Sequence, residues 1–252
     1  MSRSTTRRWT INGDFLALRP NGVVRYAREV TTALDRLVTS HHPLARDLKL
    51  EIVSPRPAAE PLPLSAIPMR VLPEFNRPRL PQFWAQMQLP WHVSGGLLSF
   101  CNLAPVSIRR QIVCIHDLQT RLAPDSYGRG FRLAHRILLP MIGRWCAGVT
   151  TVSEFSRSHL INFGVVPEHK LVVTYNGHEH AIRWDPAGAT LDLTCEQPFV
   201  LALGRRQRHK NNELLRRIAA PLDAMGIDLC IAGDLDPGEF AQEGRVPANV
   251  RI

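Results

Sequence analysis

The chain has 252 residues, of which 44% are hydrophobic and 21% are charged, a composition that is ordinary for a globular protein. Its formal net charge of +9 indicates anionic partners, among them nucleic acid, phosphosugars and an anionic membrane surface. No block of five or more basic residues occurs, and the aromatic residues do not cluster with basic ones, so nucleic acid is not an expected partner.

The cysteines indicate a reduced, cytosolic compartment. There are five, far apart in the chain: Cys101, Cys114, Cys146, Cys195 and Cys230. Without a C-x-x-C pair, neither a zinc site nor a metal site of another kind is expected. The N-terminus lacks the apolar segment of a signal peptide, and residues 133–149 are too short and too charged to span a bilayer.

The first 177 residues predict strands that alternate with helices. Apolar runs predict six strands, at residues 9–18, 48–53, 94–100, 111–115, 149–152 and 171–174. Apolar residues at helical spacing predict helices over 23–38 and 131–145, and Ser153 is expected to cap a further helix. The proline-rich stretch 55–90 is expected to be irregular and either functional or a separate lobe.

A second block begins after a predicted linker at residues 178–197. Residues 198–252 predict a strand at 199–203, a helix at 210–225 and a strand at 228–232. The alternation predicts α/β domains with parallel sheets that helices cover on both faces. Since a doubly wound domain has roughly six strands, the second domain is expected to be incomplete.

The loop after the strand at 199–203 is the strongest candidate binding site. Arg205 and Lys210 flank it, and a helix is expected to follow, so cations and free backbone N–H groups would meet an anion there. A nucleotide-sugar diphosphate suits such a site. The alternative is a solvated basic turn, which is the interpretation given to Arg206, Arg208 and His209.

Two further positions could carry chemistry at strand ends. Gly22, with Asn21 before it, follows the first strand and would let a phosphate or sugar approach the backbone, or it is only a turn glycine. His116 could hydrogen-bond a sugar hydroxyl, or it caps a loop together with Asp117. Ser153 and Glu154 are expected to start a helix, with contact to a ligand in a cleft as a secondary role.

Several segments together resemble the family 4 glycosyltransferases of the GT-B fold, of the bacterial mannosyltransferase type. The matching segments, in order, are residues 11–13 with 21–26, 101–105, 115–118, 152–157, 176–177, and 204–211 with 233–234. The resemblance implies two Rossmann-like domains, an acceptor-binding one over 1–177 and the start of a nucleotide-sugar-binding one over 198–252.

The resemblance also implies residue roles and a reaction. Gly22 would lie near the donor phosphate, His116 would contact the donor sugar, and Arg205 and Lys210 would hold the diphosphate. Sugar transfer would retain anomeric configuration without a cofactor or a required metal. The implied donor is a GDP-mannose-like nucleotide sugar, and the acceptor is a glycan or lipid-linked sugar of cell-surface polysaccharide synthesis.

One departure from the family pattern bears on activity. The family has two glutamates eight positions apart late in the second domain, and the sequence ends at Ile252 before that motif. A C-terminally truncated fragment with weak or no activity is therefore expected. A non-catalytic acceptor- or partner-binding module is the alternative, while a same-fold epimerase or phosphorylase fits the Arg205–Lys210 loop less well. The arginines and the family together suggest peripheral contact with an anionic membrane at its cytoplasmic face.

Overall fold

The computed structural model describes residues 6–73, 83–183, 185–188, 197–205, 210–233, 235–241 and 246–251. The chain divides into two compact units, one comprising residues 1–121 and 130–178, the other residues 122–129 and 179–252. Each unit has its own parallel sheet, which confirms the predicted α/β class. Four positions singled out in the sequence lie outside the described residues: Cys195, Arg206, Arg208 and His209.

The first unit contains a seven-stranded sheet in the order β3-β2-β1-β4-β5-β6-β7, with every neighbouring pair parallel. Its strands are β1 (Arg7–Asn12), β2 (Leu48–Ser54), β3 (Met69–Val71), β4 (Gly96–Ser99), β5 (Gln111–Cys114), β6 (Gly148–Thr151) and β7 (Leu171–Val173). Five of the six strands predicted here lie where the apolar runs indicated.

Helices cover both faces of this sheet. They are α1 (Gly22–Thr39), α2 (Gln119–Leu122), α3 (Arg129–Trp145) and α4 (Glu154–Asn162). Helix α1 packs in a core cluster with β1 and β2, whereas α3 and α4 share a different cluster with β5, β6 and β7. Because parallel crossovers are right-handed, the opposite faces follow from the sheet order, which reverses direction between β1 and β4.

Two expectations about the first unit are wrong. The first strand ends at Asn12 instead of continuing to residue 18, because the Asn12 side chain accepts the Asp14 N–H and Gly13–Ala17 forms a 3-10 helix. The proline-rich stretch is not wholly irregular, since β3 pairs with β2 and helical turns occur at Trp84–Gln88 and Leu89–His92. Three residues of β3 are too few to show a strand pattern in the sequence.

The second unit contains a three-stranded sheet in the order β10-β9-β8. Its elements are α5 (Glu179–Ile182), β8 (Phe199–Gly204), α6 (Asn212–Ala224), β9 (Asp228–Gly233) and β10 (Val250–Arg251). Gly204 ends β8 for a packing reason, since a Cβ there would lie 2.5 Å from Ile231 Cγ2. Helix α5 falls within the segment 178–197 that the sequence predicts as a linker, and the linker itself stays a prediction.

Candidate active site

The carboxyl ends of β1 and β4 form the topological switch point of the seven-stranded sheet. Strand order reverses there, and ligands of open α/β sheets bind in the crevice outside the carboxyl ends at such a point. Asp14 follows β1, Asn102 follows β4 and His116 follows β5, so all three lie at this carboxyl edge.

His116 is buried and held in one orientation. Its Nε2 lies 2.8 Å from the Phe100 carbonyl oxygen, and its backbone N–H donates to Asn102 Oδ1 at 2.7 Å. Burial lowers the pKa of His116, and this outweighs the opposing effects of the Phe100 carbonyl and the Asp117 charge. The ring is therefore neutral at neutral pH. With Nε2–H donating to Phe100, Nδ1 is the nitrogen that can accept a hydrogen bond.

Tyr26 links helix α1 to two strand ends. Its ring meets the His116 ring edge-on, with centroids 4.9 Å apart, and its hydroxyl lies 3.2 Å from Thr174 Oγ1. Burial, followed by the nearby Cys114 thiol, raises the pKa of Tyr26 to about 12, so the phenol stays protonated. Tyr26 thus orients His116 through packing and is the first of two residues that the sequence analysis did not single out for a role.

Asp14 is the second residue that the sequence analysis did not single out for a role. The side chain is half-buried at the end of β1, and its carboxylate accepts no hydrogen bond from the residues that the structure describes. Burial raises its pKa to about 6, although the Arg56 charge acts in the opposite direction. Burial raises the pKa of the Cys101 thiol, and the nearby Asp14 charge raises it further. The sequence signal that could have identified Asp14 is an acidic residue that interrupts an apolar run.

Asn21 and Gly22 start helix α1. Asn21 Oδ1 accepts the N–H groups of Val23 and Val24 at 2.9 and 3.0 Å, which is the hydrogen bonding of an N-cap. A Cβ built on Gly22 would find nothing within 4 Å. Packing does not require glycine at this position, so the open space beside it is compatible with close approach of a ligand.

Asp117, Ser153 and Glu154 have structural partners. Asp117 Oδ1 accepts the Gln119 N–H at the start of α2, and Ser153 Oγ accepts the Ser156 N–H at the start of α4. The predicted cap at Ser153 is confirmed. Glu154 forms a 3.7 Å ion pair with Arg157. Their role in a ligand cleft stays a prediction.

Arg205 and Lys210 lie in the second unit, and both are exposed. Arg205 directly follows β8, and its carbonyl accepts a 2.7 Å hydrogen bond from Asn212 Nδ2 at the start of α6. The helix begins at Asn212, two residues later than predicted. The loop thus connects the carboxyl end of a parallel strand to a helix N-terminus, the setting in which anions bind. Contact with a diphosphate stays a prediction.

Two properties of the described residues bear on metals and membranes. Among these residues, no group of three or more His, Cys, Asp or Glu side chains is arranged to hold a metal ion. In the same part of the chain, no helix combines the length and the apolar character needed to cross a membrane.

Comparison with known proteins gives a distant structural similarity. No protein-family model matches the chain, and no curated protein matches it. Among solved structures, the chain is similar to a glycosyltransferase from Rickettsia africae ESF-5, with 15% sequence identity and a TM-score of 0.45. The similarity covers 90% of this chain and 60% of that chain, so this chain spans less than two thirds of the neighbour's length.

Proposed function

We propose that the chain belongs to a retaining family 4 glycosyltransferase that moves a sugar from a nucleotide-sugar donor to a glycan or lipid-linked acceptor. The observation that carries the proposal is the set of polar side chains at the switch point, which includes Asp14 and His116. The open backbone at Gly22, where the first helix begins, supports it. The basic loop after β8 supports it from the second unit. A GDP-mannose-like donor and a place in cell-surface polysaccharide synthesis rest on the sequence resemblance.

The proposed reaction occurs on one face of the donor sugar. The bond between the anomeric carbon and the diphosphate oxygen breaks while the acceptor oxygen bonds to that carbon from the same side. The acceptor hydroxyl proton passes to the departing phosphate oxygen. Arg205 and Lys210 neutralise the charge that develops on the diphosphate. His116 orients the donor sugar, since its Nδ1 can accept a hydrogen bond from a sugar hydroxyl.

Asp14 is assigned to the acceptor side of this site. Carboxylates accept hydrogen bonds from sugar hydroxyls, and this carboxylate has no such partner among the described residues. A half-buried carboxyl that folding leaves unsatisfied is typical of a functional position. The side chain would fix the acceptor hydroxyl relative to the donor, while the departing phosphate takes its proton.

Titration calorimetry with GDP-mannose, UDP-glucose and a dTDP-sugar tests the donor half of the proposal. Arg205→Ala and Lys210→Ala should each weaken binding of the preferred donor by about 10-fold, the effect of losing one charge-assisted phosphate contact. Arg217→Ala is the matched control, because this exposed arginine in α6 pairs with Glu213.

The outcomes separate the two candidate functions. Donor binding that depends on Arg205 and Lys210 supports a transferase. If none of the three nucleotide sugars binds but an oligosaccharide acceptor does, the transferase is contradicted and an acceptor-binding module is supported. If Arg205→Ala and Arg217→Ala bind the donor equally well, the basic loop is not part of the donor site.

A further inference from the structure

One face of the seven-stranded sheet is open near its amino-terminal edge. Leu50 of β2 packs in the core cluster with α1, so Lys49 and Glu51, on either side of it in the strand, lie on the opposite face. Trp84 and Val53 share a cluster on that opposite face, nearer the carboxyl edge. Among the described residues, the amino-terminal part of the face forms a pocket of about 330 Å³, and it is lined by Arg8, Trp9, Lys49, Leu50, Glu51 and Ser94. The sheet therefore has a second concave region, at the edge opposite the switch point.

Two cations lie side by side in this pocket. Arg8 and Lys49 are paired in the register of β1 with β2, and neighbouring strands are about 4.8 Å apart, with side chains at paired positions on the same face. Both side chains are exposed, and neither forms an ion pair with a carboxylate of the described residues. Like charges at paired positions of neighbouring strands repel each other and destabilise the sheet. An anion bound between the two would remove this repulsion.

Glu51, which also lines the pocket, is held in place by other partners. Its Oε1 accepts a 3.5 Å hydrogen bond from Thr10 Oγ1, which in turn accepts the Ser94 N–H at 2.9 Å. Its Oε2 lies 3.6 Å from Arg70 Nε. The charge of this carboxylate is therefore balanced by Arg70, and the two cations of the pocket keep theirs. A carboxylate has about four positions for hydrogen bonds, so Glu51 can also accept one from a ligand hydroxyl.

We propose that this pocket binds a small phosphate ester that also carries hydroxyl groups, such as a sugar phosphate. The Arg8 guanidinium and the Lys49 ammonium would contact the phosphate oxygens, since both groups donate charge-assisted hydrogen bonds. Glu51 lies two residues from Lys49 on the same face, about 7 Å along the strand, so it would accept a hydrogen bond from a hydroxyl of the same ligand. A carboxylate beside a bare phosphate would repel it, so the hydroxyl groups distinguish the ligand from inorganic phosphate. A volume of about 330 Å³ is at the lower end for small-molecule pockets and favours a compact ligand.

The pocket is separate from the proposed active site. Arg8 lies near the start of β1 and Asn12 at its end, and four residues of extended strand span about 13 Å. Asp14 and His116 lie beyond that end, at the carboxyl edge. A ligand of the pocket would therefore not occupy the donor or acceptor position of the proposed transferase, and its binding does not require that function. Because it would bind the folded sheet, it would raise the stability of the chain.

Titration calorimetry with the full 252-residue chain tests the pocket. Glucose 6-phosphate and glycerol 3-phosphate should bind, inorganic phosphate should bind more weakly, and glucose should not bind. Arg8→Ala and Lys49→Ala should each weaken binding of the esters by about 10-fold, the effect of losing one charge-assisted contact. Glu51→Gln should reduce the preference for the esters over inorganic phosphate, because the repulsion of bare phosphate is lost. Arg144→Ala is the matched control, since this exposed arginine of α3 lies outside the pocket.

Four results would overturn the proposal. The first is absence of binding of both esters by the unmodified chain, and the second is equal binding by Arg8→Ala, Lys49→Ala and Arg144→Ala. The third is inorganic phosphate that binds as tightly as the esters, since the pocket would then hold an adventitious ion only. The fourth is loss of ester binding in Arg205→Ala but not in Arg8→Ala, which would place the phosphate in the loop after β8.

Two further measurements complete the test. Circular dichroism confirms that each variant folds. Ester binding that depends on Arg8 while no nucleotide sugar binds would contradict the proposed transferase and support the pocket, so the two proposals fail separately.

Discussion

Replacing Asp14 by Asn is expected to stabilise the folded chain at neutral pH. Burial raises the pKa of Asp14 from 3.8 to about 6, so the folded state holds the ionised carboxylate at a cost in free energy. At about 1.4 kcal/mol per pH unit, this difference corresponds to roughly 3 kcal/mol at pH 7. Asparagine has nearly the same shape and carries no charge, so the variant avoids that cost.

The pH dependence gives the sharper test. Because the folded pKa lies above the unfolded one, the folded state binds more protons between about pH 3.8 and 6. The free energy of unfolding of the unmodified chain therefore falls as pH rises through this window, relative to that of Asp14→Asn. Urea unfolding followed by circular dichroism should show the two proteins converging below pH 3.8 and separating fully above pH 6.

Asp35→Asn is the matched comparison, because it also removes a charge from a carboxylate in the same unit. The reasoning about Asp14 is refuted if Asp14→Asn destabilises the chain at pH 7, as Asp35→Asn should, or if its effect is the same at pH 4 and pH 7. If Asp14 has the proposed role at the acceptor site, the more stable variant should also bind an oligosaccharide acceptor more weakly.

Asp35→Asn itself should lower the free energy of unfolding by about 2 kcal/mol at pH 7, because the buried carboxylate accepts the N–H groups of Ser65, Ala66 and Ile67. Burial acts to raise the pKa of Asp35, but these three donors lower it below 3.8 overall. The difference in unfolding free energy between the unmodified chain and Asp35→Asn should therefore persist at neutral pH and shrink below pH 3.8. The exposed Glu60→Gln should change stability by less than about 0.5 kcal/mol. Gly204→Ala should cost about 2 kcal/mol or more in urea unfolding, because its Cβ would lie 2.5 Å from Ile231 Cγ2. Gly22→Ala should leave the free energy of unfolding nearly unchanged, since its Cβ meets nothing within 4 Å, yet weaken donor binding in calorimetry. Unchanged donor binding would show that Gly22 is not part of the donor site. Tyr26→Phe should lose about 1 kcal/mol of unfolding free energy, because it removes the hydroxyl contact to Thr174. The variant keeps the ring that packs on His116, so donor binding in calorimetry should be unchanged, and weaker binding would show that ring packing alone does not orient His116.

The sequence by itself determined the elements that local patterns encode. Apolar runs between helical segments predicted most strands of the first unit, and the alternation predicted parallel sheets. Ser153 marked the start of a helix, because its side chain bonds to an N–H group only three residues away. The position of His116 after a buried strand also followed from the sequence, since strand and loop are consecutive in the chain.

Tertiary structure decided which of these residues meet and how their surroundings alter them. Strand β3 exists because residues 69–71 pair with β2, and three residues carry no periodic signal of their own. Tyr26 contacts Thr174 across 148 positions of sequence, and Asp14 acquires its raised pKa only when remote segments exclude water from it. Periodicity and capping depend on neighbours in the chain, whereas desolvation and side-chain contacts depend on neighbours in space, which the packed sheet and helices supply.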